Sequence, residues 1–188
     1  MSKYKLRELV SFVQGIQVPI NKQFTENDEG MIRFIRIVDF TKGTDAEIRY
    51  IKYSKSMEKS IVSDDDIAII RYGSQTVGNV VRGVSGVIAN NLFKVNIISD
   101  LCDKDYMYYY FLSDNFVKYV KNSQTSSTMP AISFELLYNM EIDLPSLDEQ
   151  RKIVSYLNPI YKKIILAKKE ISLLENYQKI VISKYFNS

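Results

Sequence analysis

Between Ile67 and Ser99 the chain carries no aspartate or glutamate, yet it holds Arg71, Tyr72, Ser74, Gln75, Thr76, Asn79, Arg82, Asn90, Asn91 and Lys94. An arginine fork matches the two major-groove acceptors of guanine, and Asn or Gln amides match adenine. Tyr72, the hydroxyls and the backbone near Gly73 and Gly78 suit phosphate oxygens. A second acid-free stretch, Asn115 to Phe134, adds Lys118, Lys121, Ser127 and Thr128. The chemistry these residues predict is hydrogen bonding to DNA. The expected contact set is Arg71, Tyr72, Ser74, Gln75, Thr76, Asn79, Arg82, Asn90, Asn91, Lys118, Lys121, Ser127 and Thr128. Each of them also suits a solvated turn, so the assignment depends on whether the fold gathers them. The tyrosines at 106, 108, 109 and 110 invite a stacking role, but their helical spacing predicts packing instead.

Bond-making chemistry has few candidates. The chain has no histidine and a single cysteine, Cys102. That removes the usual general base, the Ser-His and Cys-His nucleophile systems and a thiolate zinc site. Asp64-Asp65-Asp66 could hold Mg2+ in a nuclease, but the chain has no Glu-x-Lys or Asp-x-Lys partner element. The triplet reads more simply as a solvated turn before a strand. There is no Gly-x-Gly cofactor turn and no Asn/Asp-Pro-Pro motif for methyl transfer. We expect no catalysis, cofactor or metal.

Charge agrees with local recognition. Net charge is only +3, far below that of a protein coating nucleic acid indiscriminately. The segment from Pro145 onward holds eight basic and four acidic residues, leaving 17 and 18 in residues 1–144, so any DNA contact must use patches. Hydrophobic residues make up 46% of 188, enough for one core plus an appendage. No apolar run is long enough for a bilayer and no signal-peptide pattern opens the chain. With one cysteine, a cytoplasmic setting is expected.

The elements that must position these residues can be sketched from periodicity. Residues 4–12 predict a short helix. Met31 to Phe40 alternates and predicts a strand leading to a turn at Lys42-Gly43. Asp66 to Ile70 predicts a buried strand, and Gly73, Gly78, Gly83 and Gly86 predict tight turns between strands. Gly86 to Ile98 predicts another strand, broken at Asn90-Asn91. Asp105 to Lys121 has a helical period, with Met107, Tyr110 and Phe111 on one face and Phe116, Val117 and Val120 beyond. Ser133 caps a short helical turn to Tyr138, and Glu141 to Leu144 predicts a strand ending at Pro145. Ser146 and Glu149 have the spacing of a capping box. Asn158-Pro159 predicts a break between two helices, the second running from Pro159 to Phe186, roughly 42 Å.

In that terminal segment, steps of four and three pick out Ile153, Leu157, Ile160, Ile164, Ala167, Ile171, Leu174, Gln178, Val181 and Tyr185, all apolar except Gln178. Lys162, Lys163, Lys168, Lys169 and Lys179 lie off this line. A sustained 3.5-residue repeat is the coiled-coil pattern. Packing on the chain's own domain is the alternative, but a helix this long would leave much of the stripe bare. A partner helix is the better account, with these ten residues as the dimerisation seam.

The segment Leu144 to Leu157, LPSLDEQRKIVSYL, resembles the LP-x-L-x-EQ-x-x-I-V-x-x-L signature of type I restriction-modification specificity subunits. FIRIVDFTKG, DDIAIIRYGSQTVGNV, YMYYYFLSDNFVKYV and SSTMPAIS resemble further blocks of that family in its order, with Ser126 in place of the usual glycine. The resemblance spans about residues 4–186. It implies an α+β protein: a globular mixed α/β target recognition domain over residues 1–144, then a helical region over 145–188 that forms an antiparallel coiled coil with a partner. It implies a non-catalytic subunit that reads double-stranded DNA and holds methyltransferase subunits and, through them, restriction subunits. Members usually carry two recognition domains and two such helices. One of each implies a half-length form acting as a homodimer on a bipartite palindromic target, its half-sites about one duplex turn apart. A coiled-coil interaction module without sequence-specific binding is the rival reading.

Overall fold

The computed structural model describes residues 2–41, 46–73, 75–123 and 131–186. The chain divides into two compact units, Met1–Leu147 and Asp148–Ser188.

The first unit is built on three sheets. A two-stranded ladder pairs β1 (Ser2–Lys5) with β10 (Glu141–Leu144), antiparallel. One four-stranded sheet has the order β2 (Val10–Gln14), β9 (Leu92–Ile97), β6 (Ile67–Ile70), β7 (Val80–Val81). The other has the order β4 (Arg49–Lys52), β3 (Met31–Ile35), β8 (Gly86–Ile88), β5 (Ile61–Val62). Its β3–β8 pair is parallel, and all other strand pairs in the unit are antiparallel. Ile35, Ile70, Ile88 and Leu92 form one buried cluster drawn from both four-stranded sheets. Every residue of β6 is buried, as its unbroken apolar run requires.

Residues 4–12 are not helical. Leu6–Glu8 form a single 3-10 turn between β1 and β2. The three-residue spacing of Leu6 and Leu9 imitates a helix, but Val10 and Phe12 alternate inward along β2. Pairing with β10 and β9, far along the chain, overrides the local pattern. The strand from Met31 stops at Ile35, and Val38–Thr41 makes a short helix, α1. Asp39 imposes that change: its buried carboxylate accepts from the Arg36 backbone N–H at 2.9 Å and pairs with Arg33 at 3.0 Å. Of the expected turn at Lys42-Gly43, both residues lie outside the described ones.

The stretch Asp105 to Lys121 is two helices, α2 (Lys104–Phe111) and α3 (Asp114–Asn122). Ser113 separates them, its hydroxyl accepting from Phe116 N. Met107, Phe111, Phe116 and Val120 are buried as the period predicts, whereas Tyr110 is only half-buried. Helix α4 (Phe134–Tyr138) is capped by Ser133, which accepts from Leu136 N at 3.1 Å.

The second unit is helix α5, Leu147–Phe186, counted from the last residue of the first. It does not break at Pro159, which lies inside it. At about 1.5 Å per residue its 40 residues span about 60 Å. A proline removes one backbone donor and crowds the preceding turn. Here the helix runs on through Pro159 at the cost of that one bond. Pro159→Ala is therefore expected to raise stability by about 1–3 kcal/mol, read as a higher urea midpoint with more helical ellipticity. A lower midpoint would show that the chain depends on the interruption.

Most of α5 is bare in the single chain. Ile153, Ile160, Ile164, Ile171, Leu174 and Tyr185 of the seam are exposed. Leu166, Leu173, Tyr177 and Ile180 form a second exposed apolar row. Among the described residues no helix is long and apolar enough to cross a membrane.

Candidate nucleic-acid interface

Strand register decides which loops meet. Gln14 pairs with Phe93, Ile70 with Leu92, and Ile69 with Val80. Strands β2 and β6 therefore end, and β9 and β7 begin, at one rim of the sheet. The segment joining β6 to β7 and the Asn90-Asn91 turn project from that rim. Arg71 N donates to Asn91 O at 2.8 Å, joining them directly. Asn90 is held from β2, its carbonyl accepting from Gln14 Nε2 at 3.1 Å.

The β6–β7 segment is ordered by its own bonds. Thr76 Oγ1 donates to Tyr72 O at 3.1 Å, and Val77 N to Gly73 O at 3.0 Å. Gly78 closes the turn with φ +82°, and a Cβ there would stand 2.8 Å from Val120 Cγ1. A side chain at that position would be strained by the backbone angle and by this contact. The same approach brings α3 against the loop. A cavity of about 210 Å³ lies between them, lined among others by Phe40, Thr41, Gly78, Asn79 and Val117. Ile132 N donates to Arg71 O at 3.1 Å, and Tyr72 bridges Ala131.

The structure thus gathers Arg71, Tyr72, Gln75, Thr76, Asn79, Asn90 and Asn91 at one rim. Lys118 and Lys121 are exposed on the helix packed against it. Ser74, Ser127 and Thr128 lie outside the described residues. Sequence reasoning missed Phe93 and Gln14, which position this group. Only knowledge of which strands pair would have revealed them.

Arg82 is separated from this group. It follows β7 and lies at the opposite rim, where Gly83 N donates to Asp64 O at 2.9 Å. Its Nε donates to Asp65 O at 2.9 Å and its Nη2 to Asp105 Oδ1 at 2.6 Å. Its guanidinium lies 5.0 Å from the Tyr108 ring centroid, and its side chain is only 10% exposed. Lys94 is also engaged inside the fold, with Ile61 O at 2.7 Å and Asp66 at 3.1 Å.

The aspartate triplet belongs to this opposite rim. Lys104 bonds Asp66 at 2.7 Å and Asp65 at 2.9 Å. Burial acts to raise the Asp66 carboxyl, but bonds from Lys104, the Ser63 backbone and Lys94 outweigh it and hold the group well below the usual carboxylate range. A depressed folded-state pKa adds stability that is present above the unfolded value, about 3.9, and is lost as pH falls through the folded one. The urea midpoint is expected to stay level from neutral pH to about pH 5 and to fall below about pH 4. Asp66→Asn should lower the midpoint at neutral pH and flatten that acid limb. An unchanged limb would remove Asp66 as its source.

Burial, with Asp103 nearby, pushes the Cys102 thiol up to about 11, so it is no thiolate nucleophile near neutral pH. Burial likewise pushes the Tyr110 phenol up to about 12, as expected of a packing tyrosine. Among the described residues no group of three His, Cys, Asp or Glu is placed to hold a metal ion.

Comparison with known proteins places this geometry in a family. Residues 1–176 match the type I restriction modification DNA specificity domain. The chain belongs to that family. Two curated relatives of this specificity domain come from Methanocaldococcus jannaschii. The type I restriction enzyme MjaVIII specificity subunit is 26% identical over 137 residues, covering 72% of this chain and 31% of the relative. The MjaIX specificity subunit is 28% identical over 110 residues, covering 58% of this chain and 26% of the relative. Among solved structures, the S subunit of a type I restriction-modification system from M. genitalium superposes with a TM-score of 0.68 at 17% identity, covering 95% of this chain and 42% of that one. The HsdS subunit from Thermoanaerobacter tengcongensis gives 0.60 at 20%, covering 90% and 39%. The fold, long helix included, is that of these subunits. The chain spans less than half the length of each of these four relatives.

Proposed function

We propose that this chain is the sequence-reading component of a type I restriction-modification system, that it performs no chemistry itself, and that residues 1–144 read double-stranded DNA. The observation that carries this reading is the single rim that collects Arg71, Tyr72, Gln75, Thr76, Asn79, Asn90 and Asn91, beside a helix presenting Lys118 and Lys121. The rim residues come from two segments, 71–79 and 90–91, Lys118 and Lys121 come from a third, and none of them is acidic. Arg82 is left out of the contact set because its donors are taken within the fold.

Residues 145–188 serve assembly. Two copies of α5, related by a two-fold axis, cover each other's seam in an isologous, antiparallel pair. Each helix start is joined to its own recognition unit, so the two readers stand at opposite ends of the pair. A seam from Ile153 to Tyr185 is about 48 Å long, or about 14 base pairs at about 3.4 Å each. The target is then bipartite and palindromic, with half-sites about one to one and a half duplex turns apart. The second apolar row, Leu166 to Ile180, gives the paired helices a face for the methyltransferase subunits, which in turn hold the restriction subunits.

The test is selection from random-sequence duplex DNA by the full chain together with its methyltransferase partner. Enrichment of a two-part palindrome is expected. Enrichment of no motif would sink the reading and leave a coiled-coil interaction module in its place.

A further inference from the structure

Most arginines of the recognition unit are neutralised or tied down by its own atoms. Arg33 and Arg36 pair with Asp39, Arg49 with Glu47, and Arg82 with Asp105. Arg7 donates to Tyr138 O and Asn139 Oδ1. Arg71 differs. Its guanidinium carbon lies 4.6 Å from the Tyr72 ring centroid and 5.4 Å from that of Phe93. Among the described residues its side chain has no hydrogen-bond or carboxylate partner. Its Nε is buried without a hydrogen bond, as are those of Arg33 and Arg36, and so is Oδ1 of the adjoining Asn91. Arg33 and Arg36, however, have the Asp39 carboxylate beside them, whereas among the described residues Arg71 has only the rings.

An unpartnered half-buried cation is costly unless something from outside completes it. The rings attract the charge and hold the guanidinium without using its in-plane donors. The platform is itself rigid: Phe93 packs on Phe134 at 4.3 Å and Phe134 on Phe12 at 5.9 Å. The fork is therefore pre-organised, and less side-chain entropy is lost when it bonds. What it fits is a pair of acceptors lying in one plane. In duplex DNA the O6 and N7 atoms of guanine are such a pair. A phosphate also accepts from arginine, but a guanidinium held against two rings is fixed in orientation, and a fixed planar fork discriminates best through two acceptors set in one plane.

We propose that Arg71 is a specificity-determining residue that reads one guanine in each half-site. This rests on the DNA-recognition reading above and goes further by fixing the kind of base pair and the residue that reads it.

The experiment takes the motif selected by the wild-type chain with its methyltransferase partner and measures binding to single-base variants for wild type, Arg71→Ala and Arg71→Lys. Arg71→Lys keeps the charge and the stem but lacks the fork, so it tests the idea even if Arg71→Ala fails to fold. One G·C position is expected to lose about tenfold to a hundredfold of its discrimination in each variant, with the other positions unchanged. In Arg71→Lys the dependence of binding on salt should keep its wild-type slope. Replacing that guanine by 7-deazaguanine, which lacks N7, should weaken wild type and leave Arg71→Ala unaffected.

A uniform loss over all sequences, with the Arg71→Ala salt slope reduced by about one, would make Arg71 a phosphate contact and overturn the proposal. A motif without a G·C pair, or one whose preferences all survive both substitutions, would overturn it too. A wild-type chain that selects no motif would instead sink the DNA reading itself.

Discussion

Replacing Leu157, Ile164 and Ile171 together by aspartate is expected to abolish the proposed pairing of α5 and leave monomers. All three belong to the seam, and Ile164 and Ile171 are 47% and 54% exposed in the single chain, which leaves them open for the proposed second copy of α5. Burying a Leu or Ile side chain contributes about 1.5–3 kcal/mol. A symmetric interface counts each residue twice, so six such side chains supply roughly 10 kcal/mol. The aspartates remove that and place like charges in a closing interface. Sedimentation equilibrium at micromolar concentration should show the change as a halved mass. Circular dichroism separates dissociation from loss of the helix. If the mass stays that of wild type, the exposed stripe is covered in some other way and the homodimer reading fails.

The second large effect is expected at Arg82. Arg82→Ala should cost about 3 kcal/mol of folding stability. The guanidinium joins the end of β7 to the Asp65 carbonyl and to Asp105 on α2, and it lies on Tyr108. Removing it takes one donor from the Asp105 carboxylate and one from the Asp65 carbonyl and opens the packing over an aromatic ring. Because Asp105 is 31% exposed, solvent screens part of the loss, which keeps the figure at the lower end of that for buried pairs. Urea unfolding measures it, and a double-mutant cycle with Asp105→Asn isolates the pair. The folded variant should keep the base preferences of wild type. A variant of undiminished stability that loses the preference at one base would return Arg82 to the reading surface.

These two cases show how far the sequence could be read. The apolar repeat on α5 was legible because helical geometry turns spacing directly into a face. The buried run of β6 and the Ser133 cap were legible for the same local reason. Residues 4–12 were not: their strands form against β9 and β10, and no local pattern announces a partner some hundred residues away. Pro159 misled because a break is the usual outcome at a proline, whereas in a 40-residue helix the loss of one backbone bond leaves the turns on either side intact. At the candidate site, lack of acid marked stretches of chain but could not tell one rim of the sheet from the other. Arg71 and Arg82 look alike in sequence. Register places one over rings, with no acceptor for its fork among the described residues, and the other against Asp105.

The ladder of β1 with β10 has a consequence for inheritance. Ser2 pairs with Leu144 and Lys5 with Glu141, so the strands that bracket residues 2–144 lie side by side. If residues 1–144 read DNA as proposed, a unit closed in this way could be exchanged whole for another of different preference, joined again at Pro145-Ser146, and a new specificity would arise by swapping a cassette.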